Sequence, residues 1–245
     1  MIFVLNKDIN TVLFDMDGTL CRYEKGFTTT FVEMLEEEED LTLSFDTSKL
    51  EDAYEERFVV AMNQVKDQSD RAKFITEAIK NGREGKNGHN EEQLLSFAEK
   101  FAATRRSQLT LYDKAEAVVQ NLRENFNLGL LTNGPSGIQW GKIDILGIEE
   151  WFEEIIVSGD YGVAKPDPKI FNIALEKLGA EKNNSVYIGN SLKHDITGAD
   201  RAGITSIWID RGEEYESEWE TDPDYTIKNL EEILELPLFS GKTIR

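Results

Sequence analysis

Thr11-Val12-Leu13-Phe14-Asp15-Met16-Asp17-Gly18-Thr19-Leu20 decides the reading of this chain. A short apolar run ends in two carboxylates one residue apart, then a glycine and a hydroxyl, as a buried parallel strand does when its carboxyl edge carries chemistry. Side chains alternate along a strand, so Asp15 and Asp17 share one side and Met16 takes the other. Gly18 lets the backbone turn sharply. Two acids so placed can divide labour, one ionised as nucleophile and metal ligand, the other trading a proton. A calcium loop also begins Asp-x-Asp, but it wants glycine at its sixth position and glutamate at its twelfth, where this chain has Leu20 and Gly26. That reading fails.

The whole chain sets the limits around this stretch. Its 245 residues can bury a sizeable core, as one large domain or one domain with an insertion. A net charge of −20 argues against nucleic acid polymers and anionic membranes, which are held by clustered Lys and Arg; a small anion held by a few local cations stays possible. The single cysteine, Cys21, excludes an internal disulfide and a thiolate zinc cluster. The opening run Met1-Ile2-Phe3-Val4-Leu5 is too short for a signal sequence and no later run could span a bilayer, so a cytoplasmic location is expected.

Two rhythms divide the chain. Between Cys21 and Leu109 apolar residues recur at helical spacing, and four helices are predicted. They lie around Phe27, Phe31, Met34 and Leu35; around Leu50, Tyr54, Phe58, Val59 and Met62; from Asp70 past Phe74 and Ile75 to Asn81-Gly82; and from an Asn90 cap through Leu94 to Phe101. The polar loop Gly82 to Asn90 carries His89, read as solvent-facing. From Leu111 onward helix and strand alternate. Strands are predicted at Leu128–Thr132, Ile155–Ser158, Ser185–Gly189 and Thr205–Ile209, with helices at Ala115–Asn125, Ile170–Leu178 and Ile196–Ala202, and a closing strand and helix after Tyr225. This pattern predicts an α/β fold, a Rossmann-like parallel sheet whose first strand lies at Thr11, with an all-helical domain inserted. The domain boundaries follow: residues 1–20 and 109–245 form the core, and 21–108 the helical insertion.

In such sheets ligands sit at the carboxyl ends of the strands. Those ends read Asp15-Met16-Asp17-Gly18-Thr19, Thr132-Asn133-Gly134, Lys165-Pro166-Asp167-Pro168 and Gly189-Asn190-Ser191, with Asp195 shortly after. Pro166 disfavours helix at Lys165, while Asp167 as cap and Pro168 at the first helical position start the next helix. Taken together and in this order, the four stretches resemble the motifs of the haloacid dehalogenase superfamily, phosphatase type, over nearly the full length. The helical insertion is similar to that family's cap.

The resemblance implies a Mg²⁺-dependent phosphatase acting on a small phosphorylated metabolite, a nucleotide monophosphate or sugar phosphate, through an aspartyl-phosphate. Asp15 would be the nucleophile, Asp17 the general acid and base, Thr132 a phosphoryl contact, and Lys165 the cation paired with Asp15. The N–H groups of Met16, Asp17 and Asn133, with Gly134 beside them, would assist at the phosphate, and Arg22 is a candidate anion contact. Mg²⁺ would be held by the Asp15 carboxylate, the Asp17 carbonyl and Asn190 or Asp195. Asn190 departs from the family pattern, which has aspartate there, and implies weaker metal binding. Dehalogenating members lack the second aspartate, so Asp17 favours phosphoryl transfer, because an alkoxide leaving group needs a proton. A phosphomutase or phosphotransferase with the same intermediate, and a binding module whose catalysis has lapsed, are the alternatives. Hinges are expected near Cys21 to Gly26 and Ser107 to Tyr112. No dinucleotide turn, nucleophile elbow or zinc spacing is present.

Overall fold

In a computed structural model, residues 8–37, 68–82, 91–212 and 221–239 are described. The chain divides by its contacts into two compact units. One holds Met1–Arg22, Leu111–Asn133 and Gly147–Arg245; the other holds Tyr23–Thr110 and Gly134–Leu146. In chain order the elements are β1 (Thr11–Phe14), β2 (Cys21–Tyr23), α1 (Phe27–Glu37), α2 (Gln68–Gly82), α3 (Glu91–Ser107) and β3 (Leu109–Leu111). Then come α4 (Ala115–Arg123), β4 (Asn127–Thr132), α5 (Ser136–Leu146), β5 (Glu154–Val157), the single turn α6 (Ser158–Tyr161) and α7 (Pro168–Leu178). The chain continues with β6 (Ser185–Gly189), α8 (Thr197–Ala202), β7 (Thr205–Ile209) and β8 (Tyr225–Ile227).

The expected parallel, Rossmann-like sheet is present. Its order is β5-β4-β1-β6-β7-β8, with every pair parallel. β1 is central, and the later strands wind away from it on both sides, so its carboxyl end is the switch point where such sheets bind ligands. Val12, Leu13 and Phe14 are fully buried, as a strand covered on both faces must be. Their alternation sorts the two faces. Leu13 joins Leu131, Tyr187, Phe171 and Ala199 in one cluster, while the Phe14 ring meets Phe152 at 6.4 Å between centroids. Each such side chain contributes about 1.5–3 kcal/mol on burial.

The helical unit has its own core. Phe31, Phe97 and Phe101 pack with Ile75, Ile79, Leu94 and Ile138. Phe31 meets Phe97 and Phe101 edge to face at 5.3 and 5.5 Å, an arrangement that adds about 0.5–1.5 kcal/mol per pair beyond area. α1, α2 and α3 match three predicted helices; the fourth, around Leu50 to Met62, and His89 lie outside the described residues. α5 was not predicted. Gly137 and Gly141 within it lower helix propensity, yet Ile138 is buried in the helical unit's core, and that packing outweighs the local penalty. The closing helix is a 3₁₀ stretch over Leu230–Glu235, opened by a reciprocal capping box between Asn229 and Glu232. β2 and β3 pair as a separate ribbon, and the chain passes between the units within these strands.

Candidate active site

The register of the central strands assembles the motif residues of the α/β unit. Phe14 pairs with Leu130 on one side and Ile188 on the other. One residue further, Asp15 is level with Leu131 and Gly189; two further, Met16 is level with Thr132 and Asn190. By the period-two rule Asp15 emerges on the face of Leu13 and Tyr187.

Lys165 is the hub of this group. It lies on the loop before α7, whose first turn is set by Asp167: the Asp167 side chain accepts from the Lys169 N–H at 2.9 Å, and Pro168 follows at the first helical position. The Lys165 Nζ donates to Asp15 Oδ1 at 2.6 Å, Asp195 Oδ1 at 2.7 Å and the Tyr187 hydroxyl at 2.8 Å, with the Leu131 carbonyl at 3.2 Å. Asp15, Lys165 and Asp195 are 5, 4 and 1% exposed. An ammonium so buried survives only because two carboxylates face it: burial opposes its charge, but Asp15 and Asp195 together hold its pKa above the ordinary lysine value. Burial pushes the Asp15 carboxyl up to about 7, Lys165 pulling the other way and Asp195 adding to the rise. Burial also lifts the Tyr187 phenol well above its usual range, so the hydroxyl remains a donor, to Asp195 Oδ1 at 3.1 Å.

Asp195 spends its second oxygen on the Ser191 N–H at 2.9 Å. It stands in a π-helical turn, Leu192–Ile196, capped by Ser191, whose Oγ accepts from the His194 N–H. Gly189 makes room for this carboxylate, since a Cβ there would lie 2.4 Å from Asp195 Cγ. Gly18, at φ +80°, does the same for Asn190, whose side-chain amide would crowd a Cβ at 2.5 to 2.7 Å. Thr19 Oγ1 contacts Asp15 Oδ2 at 3.0 Å and Asn190 Oδ1 at 3.2 Å, so both oxygens converge on one hydroxyl. The Asn190 carbonyl is anchored by Trp208 Nε1 at 2.8 Å.

These hard oxygens fit Mg²⁺, which needs only one or two carboxylates and keeps several waters. Asp15 and Asn190 supply one charged and one neutral donor. The Asp195 oxygens are engaged by Lys165, Tyr187 and Ser191, and no cluster of three or more His, Cys, Asp or Glu suited to a metal occurs among the described residues.

Thr132 is buried at the end of β4. Asn133 clamps the Lys165 backbone from both sides, its Oδ1 accepting the Lys165 N–H at 2.9 Å and its Nδ2 donating to the Lys165 carbonyl at 3.0 Å. Among the described residues the N–H groups of Met16 and Asn133 donate to no backbone carbonyl. Asp17 is half-buried, with Oδ1 3.8 Å from Cys21 Sγ. Gly134, at φ 143°, belongs with the helical unit's segment. Arg22 is placed elsewhere in the α/β unit. Its guanidinium is 5.1 Å from the centre of the Tyr112 ring, in a cleft of about 260 Å³ that also involves Asp113, Arg211 and Glu231 and none of Asp15, Asp17, Thr132 or Lys165.

Sequence reasoning missed Tyr187, Thr19, Trp208 and Arg211. Tyr187 alone left a signal: a phenol in the apolar strand Ser185–Gly189 must find a buried partner for its hydroxyl.

Residues 9–203 match the model of the haloacid dehalogenase-like hydrolases, and the chain belongs to that family. Among individual relatives, it is 38% identical over 137 residues to glyceraldehyde 3-phosphate phosphatase of Methanopyrus kandleri, covering 54% of this chain and 59% of that one. It is 34% identical over 143 residues to phosphoserine phosphatase of Thermus thermophilus, covering 58 and 57%. The chain thus spans just under three-fifths of the length of these curated relatives. The solved structure of the HAD-hydrolase YfnB from Bacillus subtilis bound to magnesium shares the fold, with a TM-score of 0.68 at 24% identity over 94% of this chain and 98% of that one. No helix among the described residues is long and apolar enough to cross a membrane.

Proposed function

We propose that this chain is a Mg²⁺-dependent phosphatase that hydrolyses a small phosphomonoester, a nucleotide monophosphate or sugar phosphate, through an aspartyl-phosphate. The observation that carries this reading is the buried Lys165 ammonium bonded at once to Asp15 and Asp195 beside the convergent oxygens of Asp15 and Asn190. Such a centre sets the Asp15 carboxyl at the switch point, one oxygen on the Lys165 ammonium and the other on the Thr19 hydroxyl. Similarity to phosphatases of glyceraldehyde 3-phosphate and phosphoserine supports the same class of substrate.

In this mechanism Asp15 attacks phosphorus, the ester oxygen leaves, and Asp17 protonates it. Asp17 then takes a proton from the water that splits the aspartyl-phosphate, and Asp15 is regenerated. Lys165 offsets the charge of Asp15, and Asp195 with Tyr187 fixes the ammonium. The N–H groups of Met16 and Asn133 and the Thr132 hydroxyl receive phosphoryl oxygens, fixed donors placed where charge develops. Asp15, the Asp17 carbonyl and Asn190 would hold Mg²⁺, with Asp195 supporting Lys165 instead. The bound ion would neutralise phosphoryl charge. The helical unit acts as the cap that selects substrate. Arg22 is proposed to stay with its cleft.

Phosphate release from a panel of phosphorylated metabolites, with Mg²⁺ or EDTA, tests the proposal. Metal-dependent turnover that vanishes in Asp15→Asn is the expected result. Turnover that survives in that variant refutes the aspartyl-phosphate route.

A further inference from the structure

Carbonyl oxygens in a tight turn must find donors. In the turn after β1, Met16 O accepts the N–H groups of Thr19, Leu20 and Cys21 at 3.3, 2.9 and 3.1 Å, Cys21 O accepts the Gly18 N–H at 2.8 Å, and Leu20 O accepts the Tyr112 N–H at 2.9 Å. The carbonyls of Gly18 and Thr19 are met by one side chain from the far end of the chain. Arg211 Nε donates to Gly18 O at 3.2 Å and Nη2 to Thr19 O at 3.4 Å, across separations of 193 and 192 residues. Its Nη1 reaches Lys228 O at 3.4 Å, and its guanidinium stacks 3.8 Å from the centre of the Tyr112 ring.

Each of these bonds is long and individually weak. Their effect comes from being made by one planar group that Tyr112 holds in place, so the two carbonyls are fixed relative to each other. They are the carbonyls of the two peptides that flank Thr19, Gly18–Thr19 and Thr19–Leu20, and the Thr19 hydroxyl contacts both Asp15 and Asn190. We propose that Arg211 is a positioning residue: it sets the two peptides flanking Thr19 and through them the placement of the Thr19 hydroxyl against Asp15 and Asn190. This rests on the phosphatase reading for its kinetic consequence and on the geometry alone for its structural one. A lysine cannot replace the group, because a point charge does not span two carbonyls as a fork does.

The experiment compares wild type, Arg211→Gln and Arg211→Lys in two assays. The first is p-nitrophenyl phosphate turnover in Mg²⁺. The second is hydrogen exchange of peptides covering the 16–21 turn, β4 and β6. The expected result in Arg211→Gln is a kcat lower by about ten- to a hundredfold with KM within about twofold, because misplacement acts on the chemical step. Turn amides exchange roughly tenfold faster while β4 and β6 are unchanged. Arg211→Lys recovers only part of both, and serves if the glutamine variant does not fold. Unchanged exchange in the turn overturns the proposal, as does unchanged kcat in an active enzyme. Exchange that quickens equally in β4 and β6 marks a general structural role and overturns it too. A wild type without turnover removes the phosphatase reading, and the exchange data then decide alone whether Arg211 sets the turn.

Discussion

Replacing Lys165 by methionine removes the cation that two buried carboxylates share while keeping most of the side chain's volume. Asp15 Oδ1 and Asp195 Oδ1 lie 2.6 and 2.7 Å from Nζ. They are therefore at most about 5 Å apart, where two like charges repel by about 3 kcal/mol at an effective dielectric of about 20. Removing one partner from a buried pair costs about 3–5 kcal/mol, which agrees in size. For a chain of this length that is a fall in Tm of roughly 6–20 °C. The pH dependence identifies the cause. In the wild type the raised Lys165 pKa keeps the ammonium charged below the ordinary lysine range, so Lys165 itself does not titrate between about pH 5.5 and 8. In the variant the carboxylates must share a proton to remain buried. Protons are then taken up on folding, and the deficit relative to wild type shrinks as pH falls. Urea unfolding of both proteins at about pH 8 and 5.5 measures this, and adding Asp195→Asn should restore part of the loss. A variant as stable as wild type at the higher pH, or a deficit that widens on acidification, refutes the account.

Other substitutions report on neighbouring parts of the site. Asp15→Asn should abolish turnover yet gain Tm relative to wild type in metal-free buffer. The wild-type carboxyl has its pKa raised from 3.8 to about 7, so ionising it costs stability as pH climbs through that window, and the advantage of asparagine grows over the same range and then levels. Asn190→Asp adds a charge at an oxygen that already faces Asp15 and should lower the Mg²⁺ concentration for half-maximal turnover by about tenfold, measured by metal titration. Gly189→Ala drives a Cβ into Asp195 and should cost about 1–3 kcal/mol by thermal melting together with much of kcat.

Much of this architecture was legible because periodicity and chemistry agreed. β6 and β7 fall where alternating apolar runs end in glycine or aspartate, and α7 begins at the Asp167-Pro168 signal and stops at Gly179 in the left-handed region. The strand ends could be read together because a doubly wound sheet brings them to one edge. What escaped depended on partners far along the chain. Arg211 and Tyr187 look like ordinary strand-end and strand residues until the fold sets one against Gly18 and the other against Lys165. Asn133 was read for its backbone N–H, whereas its amide side chain clamps Lys165, a role visible only once the loop's position is known. α5 escaped for the opposite reason: its glycines argue locally against the helix that tertiary packing stabilises.

The central place of β1 also constrains how the protein can be made. β1 pairs with β4 and β6, which follow much later in the chain, and Asp15 meets Lys165 across 150 residues. At a synthesis rate of about 5–20 residues per second, the 116 residues from Thr11 to its β4 partner Asn127 leave β1 without that sheet partner for roughly 6–23 s. Closing so long a loop before any contact rewards it makes pairing of β1 a late, slow event. Until then a strand with three consecutive apolar residues, Val12, Leu13 and Phe14, is open to association with other chains. The charge beyond its end, Asp15 and Asp17, therefore has a second use as a gatekeeper on the nascent chain. Appearance of activity during refolding should accordingly lag the recovery of helix, since the site exists only once both flanks of the sheet have closed on β1.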